Sequence, residues 1–528
     1  MTNFNRPKLI KKQQMEARIL WADDEIDLLK PHILFLEQKG FKIDTANNGV
    51  DAVDMSAATH YDIIFLDENM PGLTGLETLA RIKEKKQNVP IIMITKSEEE
   101  HIMEGAIGGQ ISDYLIKPVN PNQILLSLKK HLKTKDLIDQ KNTSDYQSEF
   151  RQISMRLNDR LDAAEWAEIY DKLVAWEMKL EQSSDPGMKE IFAMQKKDAN
   201  AQFCRFIDKN YRDWLNGDED APILSHQLLA KKVFPRIGKE PVFLIVIDNL
   251  RYDQWKTLQP LISEYFNIEK EETYYAILPT ATQYARNALF AGMMPLEISK
   301  KYPKLWMNEN DEGGKNMHEA EFLEGNLKRN NKNIKMSYNK VIKLDFAKRL
   351  VDKFNELLHN DLNVIVYNFV DMLSHARTEM EVIKELADDE SAYRSLTASW
   401  FNHSPLREIL KKIAEKKIRT FITTDHGTIR VDNAVKVVGD KATNTNLRYK
   451  VGRNLDYNAK EVIVSSNPED IHLPKENVSS SFIFAKENDF FAYPNNFNHY
   501  VNYYNDTFQH GGVSLEEMII PFIELTAK

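Results

Sequence analysis

Short apolar runs that end in an acidic residue recur in two separate parts of the chain, and they constrain its fold more than any other feature. In the first part, Arg18–Ala22 is followed by Asp23, and Tyr61–Leu66 is followed by Asp67. Amphipathic stretches with helical spacing, such as Gly75–Lys85, separate these runs. Strands that alternate with helices predict a parallel sheet covered by helices on both faces. Because sites in such sheets lie at the carboxyl ends of the strands, the acidic residues are predicted to share one edge.

The residues predicted at this edge suit the transfer of a phosphoryl group to a carboxylate. Asp23, Asp24 and Asp67 can offer the oxygen ligands that Mg²⁺ prefers. Asp67 can attack a phosphoryl group once neighbouring charges are neutralised, and the ammonium group of Lys117 can contribute to that neutralisation. Thr95 follows another apolar run, and its hydroxyl group can hydrogen-bond the new phosphoryl oxygens.

Four ordered motifs in this region resemble those of response-regulator receiver domains. They are Trp21–Asp24, Phe65–Gly72, Ile92–Thr95 and Tyr114–Pro118. The resemblance implies a flavodoxin-like α/β fold for residues 17–133. It also implies that a sensor histidine kinase supplies the phosphoryl group and that phosphorylation favours a homodimer.

The receiver resemblance assigns roles to individual residues. It implies that Asp67 is the phosphoacceptor, and that Asp23 and Asp24 bind Mg²⁺ together with the backbone carbonyl of Asn69. The switch residues that it implies are Thr95, Lys117 and the rotating aromatic Tyr114. Lys96 departs from the family pattern, in which a small residue is common at this position.

Two other segments are distinguished by their composition. Residues 134–238 have almost no strand signal, and apolar side chains such as Leu161, Trp166 and Ile169 recur there at helical spacing. This pattern predicts several helices that form a linker bundle between two α/β domains. Residues 1–16 are polar and basic without a continuous apolar stretch, which predicts a short disordered leader.

Residues 239–528 are predicted to form a second and larger α/β domain. Its apolar runs are Val242–Ile247, Val364–Val370, Ile418–Thr423 and Met518–Ile523. Side chains that can bind a metal or act as a nucleophile follow these runs or lie in other short segments of the same domain. They are Asp248, Thr280, Asp371, His375, Asp425, His426 and His510.

The residue types in this second set indicate catalysis of phosphoryl transfer by metal ions. The chain has a single cysteine, Cys204, which excludes a disulfide framework and a cysteine-rich zinc finger. Aspartate and histidine ligands without cysteine suit Zn²⁺ or Mn²⁺ in a catalytic site. Two such ions can stabilise the attacking and leaving oxygens of an in-line displacement. A metal-bound Thr280 hydroxyl would lose its proton readily and act as the nucleophile.

The order Asp, Thr, Asp-x-x-x-His, Asp-His-Gly and His-Gly-Gly resembles the alkaline phosphatase superfamily, and Ile247–Asp253 is most similar to its PglZ branch. The resemblance implies that one metal is bound by Asp248, Thr280, Asp425 and His426. It implies that the other metal is bound by Asp371, His375 and His510. A threonine nucleophile occurs in diesterases and in monoesterases, so the substrate stays open. Arg286 is a candidate for binding a phosphate oxygen, and the lack of such an arginine would favour a diester.

A receiver, a helical linker and a PglZ domain in this order resemble the PorX type of response regulator, which is linked to type IX secretion. The resemblance implies a di-zinc phosphodiesterase or phosphatase that acts on nucleotides or oligonucleotides and is controlled by phosphorylation of Asp67. The alternative is a catalytically weak, metal-bound scaffold that regulates a sigma factor or a secretion component by protein contact. Metal binding without hydrolysis would favour that alternative.

Charge and apolar content narrow the remaining function classes. The chain has 70 basic and 79 acidic residues, and its net charge of −9 argues against a protein that mainly coats nucleic acid. A DNA-binding regulator is disfavoured because no short basic helix-turn-helix pattern follows Leu132. No strongly apolar run approaches the ~20 residues of a membrane-spanning helix. A single free cysteine is typical of a reducing compartment, so we expect a cytoplasmic protein.

Overall fold

The computed structural model of the protein describes residues 17–86, 89–96, 111–181, 186–387, 389–440 and 443–528. The predicted leader, residues 1–16, lies outside the described residues. Backbone contacts divide the chain into two compact units, residues 1–145 and 146–528. None of the helices in the described ranges is both long enough and apolar enough to cross a membrane.

The first unit contains a five-stranded parallel sheet in the order β2-β1-β3-β4-β5. Its strands are β1 (Arg18–Ala22), β2 (Lys42–Ala46), β3 (Ile63–Leu66), β4 (Ile91–Thr95) and β5 (Asp113–Ile116). The helices described between them are α1 (Lys30–Gln38), α2 (Gly49–Ala58) and α3 (Gly75–Lys85), with a 3-10 turn at Ile26–Leu29. This topology confirms the predicted flavodoxin-like α/β fold of the receiver.

The alternation of side chains along β1 explains why both faces of this sheet are covered. Ile19 and Trp21 belong to one buried apolar cluster, and Leu20 and Ala22 belong to a second one. Successive side chains of a strand point to opposite faces of the sheet, so an entirely apolar strand needs packing partners on both.

Three long helices follow, as the sequence predicts for the middle of the chain. They are α4 (Pro121–Leu157), α5 (Ala163–Glu181) and α6 (Pro186–Leu215). Helix α4 continues through the predicted domain boundary at residue 133, so no helix ends there. Trp166 on α5 and Phe203 on α6 belong to the same buried apolar cluster as Val242 of the C-terminal sheet. The predicted linker bundle therefore shares its core with the C-terminal domain.

A six-stranded mixed sheet forms the centre of the C-terminal domain, in the order β7-β19-β10-β6-β9-β8. Its strands are β6 (Val242–Ile247), β7 (Phe266–Tyr275), β8 (Met336–Val341), β9 (Leu362–Tyr367), β10 (Arg419–Thr423) and β19 (Ile519–Ala527). Strands β10, β6, β9 and β8 are parallel, and β19 is antiparallel to both β10 and β7. The neighbouring strands β6, β9 and β10 end at the same edge of the sheet. Residues of metal-binding type come after these strand ends in the sequence.

Helices and short strands surround this sheet. The helices are α7 (Tyr252–Ile262), α8 (Thr282–Ala291), α9 (Pro295–Lys301), α10 (Glu319–Arg329), α11 (Leu344–Asp352), α12 (Phe354–Leu357), α13 (Phe369–Glu379), α14 (Glu381–Leu386), α15 (Glu390–His403), α16 (Pro405–Glu415), α17 (Phe497–Tyr504) and α18 (Leu515–Met518). Short helical turns occur at Ser225–Gln227, Leu229–Val233, Phe234–Arg236 and Pro468–Ile471. The short strands are β11 (Ile429–Arg430), β12 (Asn433–Val438), β13 (Tyr449–Gly452), β14 (Asp456–Tyr457), β15 (Val462–Ser465), β16 (Ser481–Ala485), β17 (Asp489–Ala492) and β18 (Phe508–Gln509).

One predicted strand is shorter than the apolar pattern indicates. The run Val364–Val370 is not a single strand, because β9 ends at Tyr367 and α13 begins at Phe369. Asp371 therefore lies in the first turn of a helix and not directly after a strand. On that helix, the spacing of four residues places Asp371 and His375 on one face.

Candidate functional site

The acidic cluster of the receiver lies at the carboxyl ends of β1 and β3. Carboxylate oxygens of Asp23, Asp24 and Asp67 lie within 4.8 Å of one another. Asp23 and Asp67 are buried, whereas Asp24 is exposed. The Lys117 ammonium nitrogen lies 2.6 Å from Asp23 Oδ2 and 2.9 Å from Asp67 Oδ2. The structure thus brings together the residues predicted as phosphoacceptor, acidic pair and switch lysine.

Burial and ion pairing have opposite effects on the charges of this cluster. Burial raises the pKa of Asp23, although the hydrogen bond from Lys117 opposes the change. Burial alone would lower the pKa of Lys117, but its bonds to Asp23 and Asp67 raise it overall. One ammonium group does not balance three carboxylates. The remaining negative charge and the oxygen donors fit a Mg²⁺ ion.

The other predicted receiver residues lie around this cluster. Thr95 is buried at the end of β4, and Tyr114 lies half-buried on β5. Asn69 is exposed in the loop after β3. Lys96 forms an ion pair with Glu25, with 2.5 Å between Lys96 Nζ and Glu25 Oε2, and both side chains are exposed.

The first candidate metal cluster of the C-terminal domain joins two neighbouring strand ends. Asp248 follows β6, and Asp425 and His426 follow soon after β10; one ligand atom from each lies within 4.8 Å of the others. All three residues are fully buried. His426 Nδ1 lies 3.1 Å from the carbonyl oxygen of Gly427. Because a carbonyl only accepts hydrogen bonds, this contact assigns the ring proton to Nδ1 and leaves Nε2 free to bind a metal.

The second candidate cluster combines α13 with the segment after β18. Asp371 Oδ1 lies 3.6 Å from His375 Nε2 and 3.8 Å from His510 Nε2. One ligand atom from each of these residues lies within 4.8 Å of the others. His510 Nδ1 lies 3.1 Å from the carbonyl oxygen of Thr280, which again leaves Nε2 as the free ring nitrogen.

The two clusters are neighbours. The imidazole rings of His426 and His510 are stacked with their centroids 4.3 Å apart. Asn249 connects the clusters, because its N–H donates to Asp425 Oδ1 at 3.3 Å and its Nδ2 donates to Asp371 Oδ1 at 3.4 Å. Asn249 has a φ angle of 65°, a left-handed conformation that asparagine tolerates better than most residues. Two ions held in adjacent clusters are the arrangement that in-line phosphoryl transfer uses.

Burial shifts the ionisation of both clusters. It raises the pKa of Asp248 to about 6 and also raises the pKa values of Asp371 and Asp425. Burial lowers the pKa values of His426 and His510. The folded chain therefore favours neutral imidazoles and resists three charged carboxylates. A bound divalent cation would stabilise the carboxylates and accept the imidazole lone pairs.

Arg286 does not serve as the phosphate-binding arginine considered from the sequence. Its buried guanidinium group on α8 lies 2.6 Å from Asp248 Oδ2 and 2.5 Å from Glu319 Oε1. Its Nη1 also lies 3.8 Å from Asp425 Oδ2, so this cation and Lys340, which pairs with Glu319, face three carboxylates. Asp425 Oδ2 is buried and has no hydrogen-bond partner among the described residues. The donor set and this oxygen, which lacks a hydrogen bond, fit a divalent metal.

The structure does not place the Thr280 hydroxyl where the sequence predicts it. Thr280 is fully buried, and its hydroxyl donates to the carbonyl oxygen of Gly512 at 2.9 Å and accepts from the N–H of Gly511 at 3.0 Å. The carbonyl oxygen of Thr280, and not its hydroxyl, faces His510. The prediction that Thr280 is metal ligand and nucleophile is therefore corrected, because backbone groups already occupy its hydroxyl.

Thr282, two residues further along the chain, is the hydroxyl residue that reaches the first cluster. Its Oγ1 lies 3.1 Å from His426 Nε2 and 3.5 Å from Asp248 Oδ1. Thr282 is partly exposed and is the first residue of α8, where unpaired backbone N–H groups favour an anion. The sequence Thr280-Ala281-Thr282 contains both hydroxyl residues. The start of a helix after Ala281 is the sequence signal that would have favoured Thr282 over Thr280.

Comparison with known families divides the chain into three matched segments. Residues 19–129 match a model of the response regulator receiver domain, and residues 136–215 match the PorX response regulator linker domain. Residues 228–525, more than half of the chain, match the BREX system PglZ alkaline phosphatase-like domain. The three matches occur in the order that the sequence motifs predict.

Curated relatives and solved structures match a smaller part of the chain. The transcriptional regulatory protein ResD of Bacillus subtilis is 39% identical over 118 residues, which is 22% of this chain and 48% of ResD. The transcriptional regulatory protein SrrA of Staphylococcus aureus is 35% identical over 116 residues, 22% of this chain and 47% of SrrA. The chain thus spans about half the length of these relatives. A CheY-like receiver protein from Methanospirillum hungatei, 23% identical, covers 22% of this chain and 95% of its own length with a TM-score of 0.22.

Proposed function

The chain belongs to the PglZ alkaline phosphatase-like family, and from this premise we propose that it hydrolyses a phosphodiester at a two-metal site. It is a response regulator, in which a receiver domain and a PorX linker domain precede the PglZ domain. The proposed substrate is a nucleotide or an oligonucleotide. The proposed role, carried by the resemblance to PorX-type regulators, is control of type IX secretion from the cytoplasm.

Two sets of three ligands support the two-metal assignment; all are buried or partly buried except His375, which is exposed. One cation would be held by Asp248, Asp425 and His426, and the other by Asp371, His375 and His510. Divalent cations bound there would act as Lewis acids that stabilise negative charge on the phosphate oxygens. Three imidazole ligands favour Zn²⁺ over Mg²⁺, and Mn²⁺ is the second choice.

The observation that carries the proposal is the position of the Thr282 hydroxyl beside the first cluster. We assign Thr282 as the nucleophile in place of Thr280. Its Oγ1 attacks the phosphorus atom and loses its proton to solvent, while the bond from phosphorus to the leaving oxygen breaks and that oxygen takes up a proton. The intermediate is a phosphodiester between Thr282 and the part of the substrate that remains, and water hydrolyses its bond to Thr282, which releases a phosphate monoester and restores the Thr282 hydroxyl.

The contacts of Arg286 support a diester over a monoester. A monoester carries one more negative charge than a diester, and enzymes that bind it commonly use an arginine for that charge. Arg286 is already paired with Asp248 and Glu319. A substrate with a single negative charge therefore suits this site better.

We extend the proposal to the receiver domain as the control element. A sensor histidine kinase would phosphorylate Asp67, with Mg²⁺ held by Asp23, Asp24 and the carbonyl of Asn69. The new phosphoryl oxygens would draw in the Thr95 hydroxyl. Rotation of Tyr114 would follow and favour a homodimer, as the resemblance to receivers implies.

The test is hydrolysis of bis(p-nitrophenyl) phosphate by the zinc-loaded full chain. Thr282→Ala is expected to lower kcat by at least about 1000-fold, since removal of a nucleophile costs far more than removal of a binding contact. Thr282→Ser keeps a hydroxyl and is expected to retain most activity. Thr280→Ser, which keeps the buried hydrogen bonds, is the matched control at the residue that the sequence favours.

Each outcome of this test selects one interpretation. Loss of activity in Thr282→Ala with two Zn²⁺ still bound supports the proposed nucleophile. Wild-type activity in Thr282→Ala rejects that assignment. A wild-type protein that binds two Zn²⁺ and hydrolyses neither this ester nor a dinucleotide favours the alternative, a scaffold that regulates a sigma factor or a secretion component by contact.

A further inference from the structure

A short helix beside the metal clusters is held by a residue of the linker. Asn200, on α6, has only 1% of its surface exposed. Its Oδ1 accepts a hydrogen bond from the N–H of Leu515 at 2.8 Å, and its Nδ2 donates to Glu516 Oε2 at 3.0 Å. Leu515 is the first residue of α18, and its N–H has no partner within that helix. One amide group of the linker thus binds a backbone donor and a carboxylate of α18.

Two further contacts come from the same face of α6. Lys196 Nζ lies 3.1 Å from Glu516 Oε1, and Cys204 Sγ donates to the carbonyl oxygen of Val513 at 3.2 Å. Residues 196, 200 and 204 are spaced by four, so their side chains share one face of the helix. All three side chains bind the segment 513–516, which gives α6 a defined position against α18.

Helix α18 in turn contacts the surroundings of both metal clusters. The carboxylate of Glu517 accepts a hydrogen bond from the N–H of Gly512 at 2.9 Å and lies 3.3 Å from the hydroxyl oxygen of Thr280, and both residues lie beside His510. The backbone carbonyl of Glu517 accepts from the N–H of Gly427 at 3.2 Å. Gly427 follows directly after a ligand of the first cluster.

The backbone of α18 approaches the first cluster closely at Gly427. A Cβ atom on Gly427 would lie 2.0 Å from the carbonyl oxygen of Glu516. Any shift of Glu516 toward this turn would therefore displace the backbone next to His426. The positions of α18 and of the metal ligands depend on each other.

We propose that Asn200 of the linker is a positioning residue for the two-metal site and that it acts through α18. The inference rests on the proposed function, because it concerns the same metal-binding residues. It adds that the linker helix, through Asn200, sets how well those residues are aligned. A displacement of α6 would change metal affinity and turnover without changing any ligand, which gives the linker control of the site.

The test reverses the hydrogen-bonding roles of Asn200 and Glu516 in the full chain. Asn200→Asp places a second buried carboxylate beside Glu516, so the pair repels. In the double variant Asn200→Asp, Glu516→Gln, the new amide can donate to the new carboxylate and the net charge is that of the wild type. Asn210→Asp is the matched control, because Asn210 is on the same helix and donates to the carbonyl of Phe206 within it.

Metal binding and turnover are measured separately. Zn²⁺ affinity is determined by competition with a chromophoric chelator, and ligand geometry by the visible absorption of the Co²⁺-substituted protein. We expect Asn200→Asp to weaken Zn²⁺ binding by about 10–100-fold, the usual cost of disturbing residues that orient metal ligands, and to alter the Co²⁺ spectrum. We expect kcat for bis(p-nitrophenyl) phosphate to fall while KM stays within about two-fold. The double variant should recover most of both losses, and Asn210→Asp should match the wild type.

Two results would overturn the inference while leaving the proposed function in place. One is wild-type Zn²⁺ affinity and Co²⁺ absorption in Asn200→Asp. The other is a loss that the double variant does not recover and that equals the loss in Asn210→Asp, because Asn200 would then act only on the stability of α6. A wild-type chain that binds no Zn²⁺ would instead reject the proposed function, and this inference with it.

Discussion

The receiver cluster and the first metal cluster of the C-terminal domain have the same origin in the fold and differ in what balances their charge. Each forms where aspartates follow parallel strands at one edge of a sheet. In the receiver, Lys117 contacts two of the three carboxylates, and Asp24 is exposed to solvent. In the first metal cluster, Asp248 and Asp425 are fully buried, and Arg286 is shared among Asp248, Asp425 and Glu319.

This difference separates a site for transient binding from a site for resident metals. Solvent and an internal lysine stabilise the receiver carboxylates, so Mg²⁺ and a phosphoryl group can enter and leave at low cost. The first metal cluster has no exposed carboxylate, and its internal cation, Arg286, is also shared with Glu319. The C-terminal domain is therefore expected to retain its two cations as part of the folded structure.

The largest expected effect is that of metal removal on stability. A site at 100 times its Kd is stabilised by about 2.7 kcal/mol, so two sites contribute about 5 kcal/mol. For a unit as large as residues 146–528, this corresponds to a Tm shift of about 5–10 °C. We therefore expect a chelator to lower the calorimetric transition of the C-terminal unit by that amount and to leave the receiver transition unchanged. Equal shifts of both transitions, or no shift, would remove the distinction between the clusters.

A smaller effect is expected from Asp248→Asn, with a sign that depends on metal and pH. Burial raises the pKa of Asp248 to about 6, so the chelated protein carries a destabilising charge at pH 7.5 and loses it as the pH falls through 6. The asparagine side chain of the variant is uncharged at every pH. The variant should be more stable than the chelated wild type by about 3 kcal/mol at pH 7.5 and by less than about 1 kcal/mol at pH 4, since the difference disappears only as the pH approaches the pKa of this aspartate in the unfolded chain.

The same variant should be less stable than the wild type when Zn²⁺ is bound, because it lacks a carboxylate ligand. Calorimetry with and without metal at both pH values measures this reversal. Asp23→Asn in the receiver is the matched comparison, since burial also raises the pKa of Asp23 while Lys117 opposes the change. A stabilisation from Asp23→Asn as large as that from Asp248→Asn would indicate that Lys117 does not protect the receiver cluster.

The sequence predicts the fold well where the chemistry is local to a strand end. Asp23, Asp67 and Asp248 follow apolar runs that are strands in the structure, so the parallel topology alone brings the carboxylates to one edge. The four-residue spacing of Asp371 and His375 likewise predicts that both side chains lie on one face of a helix. The family resemblance placed the aspartates and histidines in the same two groups that the structure forms, but it also placed Thr280 in the first group.

Three features depend on packing and could not be predicted from motif order. Thr280 and Thr282 are equivalent in composition, and only the start of α8 decides which hydroxyl faces His426. Arg286 was considered as a ligand for phosphate, but its partner Glu319 is distant in sequence. The pairing of Asn200 with α18 joins residues more than 300 positions apart, and no local pattern marks it.

The smallest expected effect concerns the exposed ion pair between Lys96 and Glu25 at the opening of the receiver cluster. Glu25 follows Asp24 and Lys96 follows Thr95, so both members of the pair are sequence neighbours of predicted site residues. Both side chains are largely in solvent, and such pairs contribute less than about 1 kcal/mol. Lys96→Ser should therefore shift the receiver Tm very little, with Glu25→Gln as the matched control. Lys96→Ser is expected to change the lifetime of phosphorylated Asp67 by a factor of about five or less. Phosphate-affinity electrophoresis after treatment with acetyl phosphate measures this lifetime. A larger loss of stability would mean that this surface pair, like the buried pair of Arg286 and Asp248, holds the cluster together.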